Sequence, residues 1–373
     1  MLNTLLMKIL FLTVGDERHP SSQVRVYQFL PHFKQAGIIC AVEPFLTIKT
    51  REKIAPLIAS NNIFKIALAG AVIIAAVGKR FKIISSSGDY DAVVVQKDVL
   101  PFGLQGFLKR MNPNIIFEFD DAIWELTPQQ KNKSPLMRWF FRYQIGLFND
   151  FLGDAKIILT ESPYLVNYAK KFNDKVAVIT APIDTGYFAP SDDPSTDKDA
   201  IVLGWVGTHG TTYMLESIAG ALERIGRKFP YVKFLNIGGY PIELKNMRSE
   251  YIPWRNSTIL NDLRRIDIGL MPLVIDSVLN EARFSRKMVI YMSMSIPFVA
   301  QDIGLNKIVV KNGVNGFLTR TEDEWIEKLS RLIEDRRLRQ EMGANGRKIA
   351  TEQYDIRDAA RRYAELLYKT AEK

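Results

Sequence analysis

Short runs of Val, Ile, Leu and Phe alternate with segments of helical spacing along this chain, and the series runs twice. The first series is KILFLTV (8–14), IICAVEPF (38–45), DAVVVQ (91–96), NIIFEFD (114–120), AKIILTE (155–161) and KVAVITA (175–181). Between the first two runs, VRVYQFLPHFKQAG has helical spacing and stops at Gly37. Strands that are apolar at every position must be buried on both faces, which calls for a parallel sheet covered by helices on each side. The stretch PSDDPSTDKDA (190–200) interrupts the pattern and reads as a linker. The alternation then restarts with AIVLGWVG (200–207), a helix pattern from Met214 to Phe229, YVKFLNIGG (231–239), DIGLMPLV (267–274) and SIPFVAQ (295–301). A charge-rich helical region closes the chain from Glu322 onward. The expected fold is therefore α/β: two doubly wound domains facing across a cleft, with ligands beyond the carboxyl ends of the strands.

The length of 373 residues suits two domains, and 47% hydrophobic residues is enough to give each a core. A single cysteine, Cys40, excludes an internal disulfide and suits a reducing cytoplasm. The formal charge is +9, and roughly +6 of it lies before residue 190, so the first half favours an anionic partner. Nucleic acid is not expected, since charge alone points to it and no RNP, KH or helix-turn-helix pattern is evident. MLNTLLMKILFLTVG lacks the charged start and cleavage site of a secretory signal and reads as the approach to a first strand. No run reaches the ~20 apolar residues that span a bilayer. The nearest, Ile66 to Gly78, is flanked by Lys65, Lys79 and Arg80. Two readings fit it: a crossover helix buried against the sheet, or a helix lying in a membrane interface.

The residues that follow the strands are the informative ones. Gly207, Thr208, Gly210, Thr211 and Thr212 form a strand-to-helix turn, where free amides and the helix dipole favour phosphate. An ordinary Ser/Thr helix cap fits the same residues. The turn is neither a GK[ST] loop nor GxGxxG, so a dinucleotide dehydrogenase is disfavoured. Arg283 and Lys287 lie four apart. If a helix begins near Arg283, two cations share its first turn, where the dipole opposes them and a bound anion would compensate. Asp120 and Asp121 end the run FEFD and are candidates for hydrogen-bonding sugar hydroxyls or handling a proton. Adjacent strand residues point opposite ways, so one of the two is expected to face the cleft. The N-terminal loop adds Gly15, Asp16, Arg18, His19, Ser21, Ser22 and Arg25, with Arg25 read as an anion contact at a helix start. Three histidines and one cysteine show no metal-ligand spacing.

At these residues the chain resembles a known group. LGWVGT (203–208), YIPW (251–254), DLRRIDIGLMPL (262–273), RFSRKMVIYMSMSIPFVA (283–300) and IGLNKIVVKNGVNGFL (303–318) follow, in order, the pattern of GT-B glycosyltransferases of the large retaining family 4, or group 1. SSQVRVYQFLPHFKQAGI and FEFDDAIW in the first half are similar to that group as well. The resemblance implies two Rossmann-like domains: residues 1–189 for the acceptor, a linker at 190–200, and residues 201–355 for the nucleotide sugar. A final helix, 356–373, would pack back on the first. It implies a UDP- or GDP-linked sugar as donor, no permanently bound cofactor and no obligatory metal. The diphosphate would be held by Arg283, Lys287 and the Gly207–Thr208 turn, and the base would lie near Gly238, Gly239 and Trp254. Asp120 takes the place where many relatives have a histidine beside the transferred sugar, so Asp120, Arg283 and Lys287 are the expected catalytic set. The expected partner is a glycan or lipid-linked acceptor in polysaccharide or cell-envelope synthesis, at a cytoplasmic membrane face.

Three departures stand out. Relatives often carry two glutamates eight apart, the second binding ribose; here those positions are Ala282 and Ile290, with Glu281 one residue away. Their GxP glycine is Ser295, and their lysine is Arg283. Losing the ribose contact would cost on the order of 1.5–3 kcal/mol, roughly ten- to a hundredfold in affinity. It also leaves open a non-catalytic, transferase-like binding or scaffold protein.

Overall fold

The computed structural model describes residues 6–372 apart from 61, 99, 101–102, 127–129, 131, 133, 192–199, 275–281 and 283–285. Most of the expected linker and Arg283 lie outside the described residues. Two compact units result: Met1–Ala181 with Arg357–Lys373, and Pro182–Ile356.

The first unit is built on a six-stranded parallel sheet of order β2-β1-β3-β4-β5-β6. Its strands are β1 (Met7–Thr13), β2 (Ile38–Pro44), β3 (Ala92–Gln96), β4 (Ile115–Glu118), β5 (Ile157–Thr160) and β6 (Val176–Val178). Every residue of β3, β4 and β5 is buried, as continuous apolar runs require. The chain reverses direction across the sheet between β1 and β3, which pair directly (Ile9 beside Ala92). At such a switch point the loops part and leave a crevice at the strand ends.

The helices of this unit are α1 (Pro20–Arg25), α2 (Leu30–Gln35), α3 (Ile48–Ile58), α4 (Ile63–Ser85), α5 (Leu104–Met111), α6 (Pro135–Asp154) and α7 (Pro163–Ala169). The apolar segment flagged in the sequence is the body of α4, capped by Asn62 Oδ1 on the amides of Phe64 and Lys65. It is not a buried crossover helix. Only Ala69, Arg80 and Ile84 are buried, while Phe64 is 83% and Ile74 73% exposed. The cause is length. Arg80 bonds the carbonyls of Glu43 and Thr13, at the carboxyl ends of β2 and β1. Seventeen residues of α4 precede it, so about 25 Å of helix stands beyond that edge.

The second unit has a six-stranded parallel sheet of order β12-β11-β10-β7-β8-β9. Its strands are β7 (Val202–Gly207), β8 (Lys233–Gly238), β9 (Arg248–Ile252), β10 (Ile268–Met271), β11 (Phe298–Gln301) and β12 (Phe317–Thr319). The switch point falls between β7 and β10, which pair at Ile268 and Leu203. The single helix expected from Met214 to Phe229 is broken. A turn at Tyr213–Glu216 precedes α8 (Ala219–Lys228), which buries Ala221, Leu222, Ile225 and Gly226 against the sheet. After α9 (Arg286–Ser293), the closing region divides into α10 (Glu322–Glu334), α11 (Arg336–Gln353) and α12 (Ile356–Ala371). Asp335 separates α10 from α11 and caps the latter through the Leu338 amide. All of α12 beyond Ile356 belongs to the first unit, where Tyr363 meets the edges of Phe29 and Phe33.

Candidate active site

At the carboxyl edge of the second sheet, the ends of β7 and β8 lie side by side, with Gly207 opposite Gly238. Both positions require glycine. A Cβ on Gly207 would lie 2.1 Å from the Trp205 ring, and one on Gly238 would lie 2.3 Å from the Gly207 carbonyl oxygen. Gly238 and Gly239 also have φ of 75° and 71°, the left-handed region that suits glycine. The backbone is thereby brought down onto the indole of Trp205.

Trp205 is the residue that sequence reasoning missed. It is fully buried, and its ring lies beneath Gly207 and Gly239. Lys287, in the first turn of α9, places Nζ 4.3 Å from the ring centroid. That contact is a cation–π pair, favourable where water is excluded. One side chain thus joins three of the expected binding elements. The signal was its place inside GWVG, two residues before the turn, which reads as core from the sequence alone.

The Thr208 turn is engaged internally. The Thr208 amide donates to Thr211 Oγ1 at 3.1 Å, and Thr212 Oγ1 donates back to the Thr208 carbonyl at 3.1 Å. The Thr208 amide expected to be free therefore has a cap, which a phosphate must displace. Trp254 lies beside Gly238, is 43% exposed, and donates from Nε1 to Asn256 Oδ1. Tyr251 donates to the Gly239 carbonyl. The described part of the α9 helix begins at Arg286, so Lys287 shares its first turn with Arg286. Burial lowers the Arg286 guanidinium to about 10, which leaves it a cation at neutral pH. Ile290, at the ribose-carboxylate position, is buried in the core with Met288 to Ser293. Ser295, at the position of the GxP glycine, has φ of 57°, the left-handed region that favours glycine.

A second polar cluster lies at the carboxyl edge of the first sheet. Asp120 and Asp121 do not diverge as strand neighbours would, because β4 ends at Glu118. Both meet Lys97 Nζ, Asp120 at 2.6 Å. Lys97 follows β3 with φ of 57°, a left-handed backbone that a lysine adopts under strain. Ser21 donates to Asp120 Oδ2 at 2.8 Å, and Gln96 donates to Ser21 Oγ at 2.9 Å. Burial raises the Asp120 carboxyl, but Lys97, Arg25 and the bonds from Lys97 and Ser21 more than offset it and leave its pKa below the ordinary value. Asp120 is thus an anion at neutral pH: an acceptor for hydroxyls, not a proton donor. His19 is lowered by burial and by Arg51 and Lys97, so it is neutral there.

Arg25 is not an anion contact at a helix start. It is the last residue of α1, fully buried, with Nε 2.5 Å from Glu118 Oε1 and a second guanidinium nitrogen 3.5 Å from Glu161. It neutralises carboxylates of its own unit. Among the described residues, no group of three or more His, Cys, Asp or Glu is arranged to hold a metal ion.

Residues 200–335 match the family model described as glycosyl transferases group 1. No curated protein matches. Among solved structures, sucrose-phosphate synthase from Thermosynechococcus elongatus superposes with a TM-score of 0.70 at 14% identity, over 97% of this chain and 98% of that one. HepE from Anabaena, solved in complex with UDP, gives 0.66 at 18% identity over 97% and 100%. A glycosyltransferase from Rickettsia africae gives 0.69 at 13% identity over 99% and 100%. At these identities the superpositions carry the fold, two Rossmann-like domains of the GT-B class. The second unit is a glycosyl transferases group 1 domain, and the chain is a glycosyltransferase.

Proposed function

We propose that this chain moves a sugar from a UDP- or GDP-linked donor to a glycan or lipid-linked acceptor, with retention at the anomeric carbon and without an obligatory metal. The observation that carries the reading is the convergence of the Gly207–Thr208 turn, the Gly238–Gly239 turn and Lys287 on the indole of Trp205. HepE has been solved with UDP and with UDP-glucose, which favours the same donor class here. In this reading the base rests by Gly238, Gly239 and Trp254. Lys287 and Arg283, joined by Arg286, neutralise the diphosphate as the glycosidic bond breaks, a role that a metal fills elsewhere. Asp120, held ionised by Lys97 and Ser21, accepts a sugar hydroxyl and positions the ring. The residues before 190 form the acceptor side, and the product enters polysaccharide or cell-envelope synthesis at a cytoplasmic membrane face.

Ile290 favours a second reading, a transferase-like protein that binds without turnover, because a buried aliphatic side chain offers ribose no hydrogen bond. Calorimetry with UDP, GDP and ADP in EDTA tests the donor site. Wild type is expected to bind one of the first two, and Lys287→Ala to weaken that binding by roughly ten- to a hundredfold, as for loss of one charge-assisted contact of about 1.5–3 kcal/mol. Unchanged affinity in the mutant would remove Lys287 from the site.

A further inference from the structure

The first unit exposes a second apolar surface besides α4. The first half of α6 carries Met137, Trp139, Phe140 and Tyr143, which are 40%, 62%, 41% and 37% exposed. Trp139 and Tyr143 stack on each other 5.9 Å apart rather than on the core. Burial on α6 resumes at Phe148, Phe151 and Leu152. In the first half of α4 the exposed set is Ile63, Phe64, Ile66, Leu68, Ile73 and Ile74; farther along, Phe81 is exposed but stacks on Phe107. α4 stands beyond the carboxyl edge of the sheet ahead of Arg80, α6 runs back from that edge between β4 and β5, and on both the exposed apolar cluster lies in the amino-terminal half.

The charges on these segments have one sign. From Asn62 to Gly88 the charged residues are four cations, Lys65, Lys79, Arg80 and Lys82, with no acid.

 Of the four cations named there, Arg80 is buried and the three lysines stand at the surface. From Ser134 to Asn149 the charged residues are Arg138 and Arg142, both exposed, again with no acid. Apolar residues, interfacial aromatics and cations without acids on one edge match the layered chemistry of an anionic bilayer surface. Neither helix crosses it: no helix among the described residues is long and apolar enough to span a membrane.

We propose that the exposed halves of α4 and α6 form a docking surface for an anionic lipid bilayer, with Phe64, Ile74 and Trp139 inserted at headgroup depth and Lys65, Arg138 and Arg142 against the lipid phosphates. The surface stands at the carboxyl edge of the first sheet, the edge that also carries Asp120. A lipid-linked acceptor held in the same leaflet would thus be presented to that edge, and in this respect the inference deepens the proposed function and rests on it. Vesicle binding itself needs neither donor nor acceptor.

The test is sedimentation of the full chain with vesicles of phosphatidylcholine containing phosphatidylglycerol, at low salt, beside vesicles of phosphatidylcholine alone. Wild type is expected to sediment with the anionic vesicles and to be released by salt. Ile74→Glu and Trp139→Glu, both at exposed positions, are each expected to reduce binding about tenfold or more. Arg138→Gln with Arg142→Gln is expected to reduce binding to the anionic vesicles alone. All variants should keep the thermal midpoint and the nucleoside diphosphate affinity of wild type. Absence of wild-type sedimentation, or undiminished binding by both glutamate variants, overturns the proposal. So does a dimer in solution that either glutamate variant dissociates, because the apolar surface then belongs to a second copy. A protein that binds vesicles but no nucleoside diphosphate would refute the proposed donor site and leave the docking surface standing.

Discussion

In one cluster of the first unit four carboxylates face two cations. Arg25 meets Glu118 and Glu161, while Lys97 meets Asp120 and Asp121. Burial pushes Glu118 up to about 7 against the pull of Arg25, and it raises Glu161 well above the ordinary range. Between about 4.5 and 7 the folded chain therefore binds more protons at Glu118 than the unfolded chain, for which 4.5 is the ordinary value. Stability from this group is fully present below 4.5 and is lost as pH rises through about 7. Glu161 acts in the same direction. Asp120, with its lowered pKa, acts in the opposite direction but only below its ordinary value of 3.8. Glu161→Gln should remove its own part of the loss and relieve Glu118 of a neighbouring charge. Urea midpoints measured from pH 5 to 8 should fall for wild type and stay flatter for Glu161→Gln, which should be the more stable of the two at pH 8. Parallel curves would mean that Glu161 contributes nothing to the pH dependence.

Single residues also mark how far the sequence could be read. Glycines and acids at strand ends were legible because strand ends are where ligands bind in this kind of sheet. Trp205 and Lys97 were not. A tryptophan inside an apolar strand reads as core, and a lysine after VVVQ reads as a solvated strand end. Their roles come from partners far away in the chain: Lys287 for Trp205, Asp120 and Asp121 for Lys97. Arg25 was misread for the same reason, since Glu118 and Glu161 are 93 and 136 residues distant.

Among the elements, ten strands were visible as apolar runs. The two that were not, β9 and β12, lie at the edges of the second sheet. β9 reads RSEYI and has no buried residue, because an edge strand needs backbone pairing and little apolar surface. β12 is three residues long. The apolar body of α4, Ile66 to Gly78, was legible, but neither the full extent of the helix, Ile63–Ser85, nor its burial was, since an apolar helix carries no mark of which face packs. Within the second unit, α11 packs on α9 through glycine. A Cβ on Gly343 would lie 2.2 Å from the Ser295 carbonyl oxygen, whereas one on Gly346 would lie 3.4 Å from Met292, an ordinary contact. Arg347 follows on the same helix and donates to the carbonyls of Thr185, Phe188 and Ser293. Gly343→Ala should therefore cost about 1–3 kcal/mol, as overpacking does, and Gly346→Ala much less. Chemical denaturation of the two variants checks this. Equal stabilities would mean that α9 and α11 do not approach as closely as these distances require.

At the scale of the whole molecule, the two units divide the expected chemistry between them. The second supplies the turns, Trp205 and Lys287 proposed for the donor; the first supplies Asp120, the excess positive charge and the apolar helices proposed for the acceptor side. This division is expected to yield transfer without a metal. The direct measurement is release of nucleoside diphosphate from UDP- and GDP-sugars by purified protein in EDTA, with and without a membrane or glycan extract as acceptor. The expected result is release from one donor class, stimulated by the extract. Asp120→Asn should lower turnover by about ten- to a hundredfold, the loss of one charged hydrogen bond, while nucleoside diphosphate affinity stays as in wild type. A wild-type protein that binds UDP or GDP yet releases neither from any sugar nucleotide, with extract or without, would contradict the claim and favour the binding protein that Ile290 suggests.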